Sequence, residues 1–535
     1  MGKIQWRIRR KKKEVRNAEW RRRSPIQGRN PHIYPRAKHN SGARNKPFVC
    51  WNAAIYHKGM NAQGKALFFA AEGRVPPGCW QVSLFRPENP FPPFSLPKQL
   101  PMLVLAYLRS ETETAVAGLV RKGVSDAQEQ VQAILAMDEK RRSIQVQADE
   151  ARSRMNTAAK EIGAAMGKGD KALAEQLKAE TAQLKADIAT YEQQQTELEA
   201  ELQHKLVALP NVPHPDVPNG LTAADNKTVL EENREVNLPE QPLPHWELAD
   251  KLGLIDFARG SQVTGAGFPV YVGAGAKLQR ALIHWMLDQA GAQGYREVQP
   301  PLLVNESSAF ATGQLPDKEG QMYEATVDKL FLIPTAEVPL TNLYRDHLLQ
   351  EEDLPVKICG YTPCFRREAG SYGKEVRGLN RLHQFDKVEI VQLTTPEASY
   401  DALEAMRAYV EGLVRALELP FRTLLLCAGD MTYSSAKTYD LEVYSAAQGL
   451  WLEVSSVSNF ESYQANRLKL RYKPTGSKKP VIAHTLNGSA IALPRIVAAL
   501  LENNQQADGS IRLPQVLHPY FGAEQIGPES SALPG

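Results

Sequence analysis

The chain has 535 residues, of which 43% are hydrophobic and 23% are charged, and its formal net charge is +4. This length predicts more than one domain, and the apolar content is sufficient for a large buried core. No uninterrupted apolar run of about 18 residues occurs, so we expect no membrane span and no membrane partner. The five cysteines are too scattered for a disulfide scaffold or a zinc cage, which favours a reducing, cytoplasmic location.

The basic residues are concentrated at the amino terminus. Residues 1–101 contain 21 Lys and Arg against 4 Asp and Glu, whereas the rest of the chain contains 43 basic and 56 acidic residues. The segment has no sustained helical or strand periodicity. Two interpretations are open: an arm that binds nucleic acid through its cations, or a disordered or wrongly included extension. We expect the second, with the globular chain starting at Met102.

The next segment has the pattern of two long helices. Apolar residues at three-and-four spacing run over 134–165, with Arg141 as the one polar exception, and over 173–206 after a turn at 167–170. Heptads of this kind predict an antiparallel coiled coil, here about 55 Å long. From the pattern alone, the coil is either an arm that contacts a distant ligand or a dimerisation element. We assign it to a helical domain at 102–212.

The composition changes again after the second helix. Proline-rich residues 210–220 cannot continue that helix, so we expect a linker over 213–240 and a second domain over 241–535. In this domain short β-rich runs alternate with helices, including an amphipathic helix over 276–293. Strands joined by short loops, as at 356–393, indicate an antiparallel sheet. The predicted fold class is therefore α+β, an antiparallel sheet flanked by helices and preceded by the helical coil.

Residues 361–390 carry the clearest chemical signal. We interpret them as two strands joined by a glycine-rich loop, with Arg366 and Glu368 on one face of the first strand. In the second strand four side chains share a face: Arg381, Phe385, Lys387 and Glu389. Guanidinium groups suit phosphates, an aromatic ring suits a base, and carboxylates suit a metal or an ammonium group. The segment therefore predicts a nucleotide site.

Three further segments place polar side chains in apolar surroundings. The first is FLIPTAEVPL (331–340), where strand alternation puts Thr335 and Glu337 on one face, as a grip for an ammonium-bearing ligand or as a polar sheet edge. The second is LWLEVSSVSNF (450–460). Its Glu453 needs a divalent metal or a salt-bridge partner, and a bulge is required if Ser456 is to face the same way. The third is HTLNGSAIALPRIVAALLENN (484–504), where Arg495 lies either at a phosphate-attracting helix start or on a solvated helix face.

The order of these segments resembles a known family. Three segments resemble motifs 1, 2 and 3 of class II aminoacyl-tRNA synthetases: GYREVQPPLLV (294–304), which we predict to be a strand that stops at Pro300 and Pro301, then FRREAG with RLHQF, and finally NGS…R…LEN. The chain is more narrowly similar to bacterial-type seryl-tRNA synthetases in TAEVPL, FRREAGSYGKEVRGLNRLHQFDKVE, EVSSVSNFESYQANR and the long coiled coil. The resemblance extends from about Met102 to about Pro519 and does not cover residues 1–101.

The resemblance implies a role for each candidate site residue. Six residues would bind serine: Thr335, Ala336, Glu337, Glu389, Asn487 and Ser489. Nine would bind ATP: Arg366, Arg367, Glu368, Phe385, Glu453, Val454, Ser455, Ser456 and Arg495. Glu453 and Ser456 would hold Mg²⁺ carried with ATP, and no zinc is expected. Arg366, Arg381 and Arg495 would be catalytic, because guanidinium groups neutralise charge that develops on phosphates.

The activity implied by the resemblance is formation of seryl-adenylate from L-serine and ATP, followed by transfer of the seryl group to tRNA(Ser) and also to tRNA(Sec). The coil of one subunit would contact tRNA bound to the other subunit of a homodimer, with motif 1 in the interface. Two positions depart from the family pattern: Arg367, where many members have serine, and Pro494, where many have glycine.

Three alternatives compete with this interpretation. A class II paralogue that loads another acceptor would lack the long coil. A threonyl or prolyl enzyme is nearer, although the first would need a zinc site and the chain has no suitable Cys/His cluster. A coiled-coil protein that binds nucleic acid through the basic head would leave the arginines and glutamates of the second domain unexplained.

Overall fold

The structure is a computed structural model, and it describes residues 105–317, 320–368 and 377–527. The two interpretations of residues 1–101 therefore lie outside the described residues. Within the described ranges, no helix combines the length and apolar character that crossing a membrane requires.

The first part of the described chain is helical. Its helices are α1 (Leu105–Ser110), α2 (Thr112–Arg121), α3 (Ala127–Lys168) and α4 (Lys171–Val207). Helices α3 and α4 contain 42 and 37 residues and pack along each other, so the predicted coil is confirmed, and its longer helix is about 60 Å long. Gly169 adopts a left-handed conformation between them, and the Asp170 carboxylate caps α4 by accepting the Leu173 N–H.

The buried seam of the coil differs from the predicted seam at two positions. Arg141 was expected as the polar residue of the seam, but Asp138 is the side chain that is fully buried, and Arg141 donates to it at 2.9 Å. Leu173 was expected in the seam and is 43% exposed, while its neighbour Ala174 is buried. Asp138 and Arg141 are three residues apart and lie on the same face of α3, so apolar spacing could not show which of them is buried. Leu173 and Ala174 are neighbours in sequence, and the pattern did not show which of the two turns inward.

The rest of the described chain is a mixed α and β domain. Its first half contains β1 (Lys227–Glu232), α5 (His245–Lys251), β2 (Ile255–Asp256), α6 (Phe257–Val263), β3 (Val270–Tyr271), α7 (Gly273–Ala292), β4 (Arg296–Glu297), β5 (Leu303–Asn305), α8 (Glu306–Ala311), β6 (Glu324–Ala325), β7 (Leu330–Leu332), α9 (Glu337–Asn342), β8 (Leu348–Gln350) and β9 (Val356–Phe365). Its second half contains β10 (Gln384–Thr394), α10 (Ser399–Ala416), β11 (Phe421–Leu425), β12 (Lys437–Ser445), β13 (Leu450–Asn459), α11 (Ser462–Leu468), β14 (Arg471–Lys473), β15 (Val481–Ile482), β16 (His484–Ala492), α12 (Leu493–Asn503), β17 (Ile511–Arg512), α13 (His518–Phe521) and β18 (Gln525–Ile526).

An eight-stranded sheet forms the centre of this domain. Its strand order is β1-β11-β12-β13-β16-β10-β9-β4. The pairs are antiparallel except for β4 with β9, which confirms the predicted antiparallel sheet. The edge strand β1 lies inside residues 213–240, where a linker was expected. Its sequence, KTVLEE, is mostly exposed and lacks the alternation that reveals a half-buried strand.

Strand alternation separates the core from the functional face. On β10, Val388 and Ile390 point into the main core, which α7, α10 and α12 cover. Val391 and Leu393 pack on the other side, against residues of α9 and α11. Lys387, the residue before Val388, belongs by its position to the second face. The polar side chains of β10 therefore project away from the core helices.

Prolines end two of the predicted strands. The segment 331–340 was expected to be one strand, but β7 ends at Leu332 and α9 begins at Glu337, after a bend at Pro334. In the segment 294–304 the strand was expected to stop at Pro300 and Pro301, and this is confirmed, since β4 ends at Glu297 and β5 begins at Leu303. Proline has no N–H to donate to a neighbouring strand, so a ladder stops there.

Candidate active site

A cavity of about 550 Å³ lies against the polar face of the sheet. The predicted site residues that line it are Thr335, Glu337, Arg366, Glu368, Arg381, Phe385, Glu389, Glu453, Val454, Ser455, Ser456, Asn487, Ser489 and Arg495. They come from loops and strands that are far apart in sequence, and the antiparallel order of β13, β16, β10 and β9 brings them together.

Two predicted site residues do not line the cavity. The Ala336 side chain is fully buried and packs with Leu340 and Val391 behind the cavity wall. Arg367 is exposed, and its guanidinium lies 6.0 Å from the centre of the Tyr323 ring. In this structure neither side chain is placed to contact a ligand in the cavity.

The predicted two-strand arrangement of the arginines needs correction. Strand β9 ends at Phe365, so Arg366 and Glu368 follow the strand rather than alternate along it. Arg381 precedes β10, which begins at Gln384. The three side chains still reach the cavity because the chain continues past both strand ends, and Glu368 adopts φ +46°. Arg381 Nη1 then donates to Glu368 Oε2 at 2.8 Å.

Arg366 lies beside the aromatic ring of Phe385. The Arg366 N–H donates to the His383 carbonyl at 2.9 Å, which extends the pairing of β9 and β10 by one residue. Its guanidinium carbon is 5.3 Å from the centre of the Phe385 ring, and Nε donates to the Pro334 carbonyl at 3.4 Å. A cation and an apolar ring are therefore adjacent in the cavity wall, as a phosphate and a base would require.

Four buried polar side chains form one end of the cavity: Thr335, Lys387, Glu389 and Ser489. Lys387 Nζ lies 2.6 Å from Glu389 Oε2 and donates to Thr335 Oγ1 at 3.0 Å. Ser489 Oγ donates to the same Glu389 oxygen at 3.4 Å. The partial alternation predicted for β10 is confirmed here, since Phe385, Lys387 and Glu389 all line the cavity. A compact ligand with an ammonium group would find a carboxylate in this corner.

Glu337 lies in the same corner, and its carboxyl group is a weaker acid than usual. Burial raises the pKa of Glu337 to about 7, and the negative charge of Glu389 adds to the shift. Gln464 Nε2 donates to Glu337 Oε1 at 2.6 Å and opposes the rise, while Thr485 Oγ1 donates to Gln464 Oε1 at 2.8 Å. The orientation of the Gln464 amide is thus set by a donor on one side and an acceptor on the other.

The opposite end of the cavity contains Arg495, the third residue of α12. Arg495 Nη1 donates to the Glu453 carbonyl at 2.8 Å and lies 3.7 Å from Glu453 Oε2. Pro494 occupies the first turn of α12, where its missing N–H costs nothing. The predicted position of Arg495 near a helix start is therefore confirmed, and its guanidinium faces the cavity.

The predicted bulge near Glu453 is present. In the pairing of β12 with β13, Leu441 lies opposite Ser455 and Glu442 opposite Glu453, so Val454 is the extra residue. This bulge lets Glu453 and Ser456 both line the cavity. Ser455 Oγ, in contrast, donates to the Ser489 carbonyl at 2.6 Å and so ties β13 to β16.

Glu453 and Ser456 fit the oxygen donors that a nucleotide-bound Mg²⁺ would use. The Glu453 carboxylate is half exposed, so its oxygens are accessible to a cation. Mg²⁺ is usually bound by one or two protein oxygens together with substrate phosphates. Ser456 also forms a side-chain hydrogen bond with Asp440, whose pKa is raised by burial and by the nearby Glu453 charge. In the described ranges no group of three or more His, Cys, Asp and Glu could bind a metal without such phosphates.

Several cavity residues were not assigned a role from the sequence. Lys387 was placed on the correct strand face, but its ion pair with Glu389 was not expected. Gln464 supports Glu337 from α11, and Arg467, also on α11, is a buried part of the cavity wall. Both belong to the run FESYQANR, which resembles the family, and their three-residue separation on a helix could have indicated a shared face.

Two family models match the chain. The family model of the seryl-tRNA synthetase N-terminal domain matches residues 102–213. The model of the tRNA synthetase class II core domain (G, H, P, S and T) matches residues 322–504.

Similar whole proteins carry the same description. Serine--tRNA ligase of Salinibacter ruber is 49% identical over 429 residues, which are 80% of this chain and 100% of the relative. Serine--tRNA ligase of Chloroflexus aurantiacus is 46% identical with the same two shares. The crystal structure of seryl-tRNA synthetase from Pyrococcus horikoshii complexed with ATP has a TM-score of 0.76 at 34% identity, over 80% of this chain and 100% of that chain. This chain belongs to the seryl-tRNA synthetase family.

Proposed function

We propose that the protein is a serine--tRNA ligase that uses this cavity to activate L-serine with ATP and then transfers the seryl group to tRNA(Ser) and to tRNA(Sec). One observation carries the assignment of the site: a single cavity joins a buried carboxylate corner to an arginine-lined end. The corner has a carboxylate for the ammonium group of an amino acid, and the arginines have the charge for a triphosphate.

The carboxylate corner supplies the groups that serine requires. The serine ammonium would bind beside the Glu389 carboxylate as a second cation, next to Lys387 Nζ. Thr335 and Glu337 would then bind the rest of the amino acid, with its hydroxyl among polar partners. A site that hydrogen-bonds a hydroxyl rejects alanine strongly, because its buried polar groups would be left unpaired. Threonine differs by one added methyl group and must be excluded by the size of the corner.

The arginines would bind and orient ATP. Phe385 would stack on the adenine, and Arg366, which lies over that ring, would neutralise charge between the base and the serine end. Arg495 would bind the terminal phosphate at the start of α12, where the backbone N–H groups also attract anions. Mg²⁺ bound through Glu453 and Ser456 would neutralise further phosphate charge.

The chemical steps need positioning more than proton transfer. A serine carboxylate oxygen attacks the α-phosphorus of ATP, the bond to the β-phosphate oxygen breaks, and pyrophosphate leaves. The terminal ribose hydroxyl of tRNA then attacks the seryl carbonyl, and AMP leaves. Both substrates bound in one cavity supply the alignment, and the arginines stabilise the charge that develops.

We also propose a cytoplasmic homodimer whose coil contacts tRNA. The exposed leucines Leu302 and Leu303 follow the motif 1 prolines and would be covered by a second subunit. Helices α3 and α4 extend about 60 Å, far enough to touch an RNA beyond the catalytic domain. An RNA recognised by its shape suits such an extended element.

Amino-acid-dependent exchange between ATP and pyrophosphate tests this function. We expect exchange with L-serine, weak exchange with L-threonine and none above background with L-alanine or L-proline. Charging of tRNA(Ser) and tRNA(Sec) transcripts then tests the second step. Exchange that requires an amino acid other than serine, or no exchange with any amino acid, would contradict the proposal.

A further inference from the structure

A buried polar network lies behind the arginine-lined end of the cavity. Its centre is the pair His245, the first residue of α5, and Glu502 of α12, whose side chains are both fully buried. His245 Nδ1 is 2.7 Å from Glu502 Oε1, and the His245 backbone N–H donates to the same oxygen at 2.9 Å. Ser445 donates to the other oxygen of this carboxylate. Burial alone would raise the pKa of Glu502, but these hydrogen bonds hold it below its usual value, so the carboxylate is ionised.

The second ring nitrogen defines the protonation state of His245. The Leu379 backbone N–H donates to His245 Nε2 at 2.8 Å. Nε2 is therefore an acceptor without a proton, and the ring proton is on Nδ1, where it is donated to Glu502. His245 is a neutral ring that connects an ionised carboxylate to the main chain at Leu379.

The main chain approaches this ring very closely. Gly378 has φ +68°, and a Cβ built on it would lie 2.2 Å from His245 Nε2. Only glycine combines this backbone conformation with so little space. The main chain at residues 378 and 379 therefore packs directly against the His245 ring, and the hydrogen bond from Leu379 depends on the position of that ring.

The segment held by His245 leads directly to two arginines of the cavity. Asn380 follows Leu379, and its carbonyl accepts from Arg495 Nε at 3.0 Å. The Asn380 side chain donates to Gln448 at 2.9 Å, and Gln448 donates to Glu502 at 2.8 Å. Arg381 comes next and pairs with Glu368. A displacement of Leu379 would therefore shift both the Asn380 carbonyl that accepts from Arg495 and the main chain that carries Arg381.

We propose that His245 is a positioning residue for the nucleotide end of the cavity. By accepting the Leu379 N–H while it donates to Glu502, it fixes the main chain that carries Arg381 and orients Arg495. The inference rests on the proposed function, because it takes these two arginines to bind ATP. It predicts that a change at His245 affects ATP and leaves serine binding at the opposite corner unchanged.

Two substitutions separate positioning from packing. In His245→Gln the side-chain oxygen can replace Nε2 and accept the Leu379 N–H, whereas His245→Asn can replace Nδ1 and donate to Glu502 but leaves Leu379 without its acceptor. Loss of one buried hydrogen bond should raise the KM for ATP in the exchange reaction about tenfold in His245→Asn. The KM for serine should not change, and His245→Gln should lie close to the wild-type protein. His347→Asn, at an exposed histidine, is the matched control.

The outcomes distinguish this inference from the proposed function. An unchanged KM for ATP in His245→Asn, equal effects of the two variants, or an equal rise in the KM for serine would overturn the positioning role. A wild-type protein without serine-dependent exchange would overturn the proposed function instead. If neither variant folds, hydrogen exchange of the wild-type segment 377–382 decides: slow exchange of the Leu379 amide is expected, and fast exchange would overturn the inference.

Discussion

The carboxylate corner, which is formed by Thr335, Glu337, Lys387, Glu389 and Ser489, contains two carboxyl groups and one lysine. Glu337 and Glu389 are both buried, and one lysine, Lys387, lies between Glu389 and Thr335. Burial raises the pKa of Glu337, and the negative charge of Glu389 raises it further, because two buried carboxylates near each other cannot both ionise without cost. A bound ammonium group would supply the second cation. The charges of the two carboxylates are therefore best balanced when the amino acid is bound.

Loss of the Glu389 carboxylate should abolish serine activation. Glu389→Gln keeps the size of the side chain but removes the charge that faces the ammonium group, so serine-dependent exchange should fall at least about a hundredfold. Lys387 then loses its ion-pair partner, and some loss of stability is expected as well. Exchange rates measured beside a thermal unfolding curve separate the two effects. A folded variant with wild-type exchange would remove Glu389 from the proposed site.

The raised pKa of Glu337 predicts a pH-dependent stability. The unfolded chain releases this proton near pH 4.5, whereas the folded protein retains it to about pH 7. The folded state is therefore favoured by this group below pH 4.5, and the advantage is lost as the pH rises through 7.

The variant Glu337→Gln tests this prediction, because the amide keeps an oxygen for Gln464 and carries no charge. Relative to the wild-type protein, its unfolding free energy should increase between pH 5 and pH 8, by at most about 3 kcal/mol. Glu324→Gln, on an exposed strand, is the control and should show no such trend. Parallel stability curves for Glu337→Gln and wild type would show that Glu337 titrates normally.

Individual side chains could be placed from the sequence only where they belong to a regular strand. Phe385, Lys387 and Glu389 were correctly placed on one face because β10 is a regular strand. Arg366 and Arg381 reach the cavity from outside the strands, and alternation could not place them. The Gln464 contact with Glu337 joins residues 127 positions apart, so only the folded chain reveals it.

At the scale of elements, the coil contains one buried charge that its heptads do not need. Asp138 is fully buried and accepts from Arg109 and Arg141 at 2.9 Å, and Arg142 Nε forms an ion pair with it at 3.3 Å. Arg109 comes from α1, so the cluster joins the short first helix to the coil. A carboxylate buried among several guanidinium groups orients the elements that carry them.

Removal of this charge should loosen the base of the coil. Asp138→Asn leaves the arginines without a counter-charge, and we expect a loss of about 2 kcal/mol in the stability of the helical domain, less than for a fully buried pair because the arginines are partly exposed. Hydrogen exchange over 105–207 in the full chain should become faster, while serine-dependent exchange stays unchanged. The control Asp149→Asn removes a surface ion pair with Arg152 and should have little effect. Equal exchange rates in both variants would contradict the role of Asp138.

The coil should matter for the second chemical step only. Replacement of residues 143–196 by a short glycine–serine turn keeps the buried cluster of Ile134, Leu202 and Leu206 at the base. Adenylate formation should continue at the wild-type rate, and tRNA charging should fall by at least about a hundredfold, because the contact with RNA is lost. Normal charging by the shortened protein would rule out the proposed RNA contact.

The elements differ in how well the sequence predicts them. Long heptad patterns and the amphipathic run at 276–293 are repeated signals, and the structure has helices α3, α4 and α7 there. The edge strand β1 was missed because six residues with mostly exposed side chains give no periodic signal. The strand at 331–340 was predicted too long because Pro334 was given less weight than alternation, whereas the stop at Pro300 and Pro301 was predicted correctly from the prolines themselves.

At the scale of the whole molecule, the base of the coil and the cavity share one wall. Val207, the last residue of α4, lines the cavity and packs with Phe310 and Tyr463. The chain that follows is fixed to the catalytic domain, since Tyr463 donates to the Leu209 carbonyl at 3.1 Å and Asn211 donates to the Phe460 carbonyl at 3.0 Å. The helical domain and the catalytic domain therefore meet at the proposed active site, which suits an enzyme that must bring tRNA to an adenylate.

A structure of the protein with a non-hydrolysable seryl-adenylate analogue would show directly whether this one cavity binds both serine and ATP. We expect the seryl ammonium within hydrogen-bond distance of the Glu389 carboxylate, the adenine stacked on Phe385, and Arg366 in contact with the phosphate mimic. An analogue bound outside the cavity, or bound there with its seryl group at the Arg495 end, would contradict it.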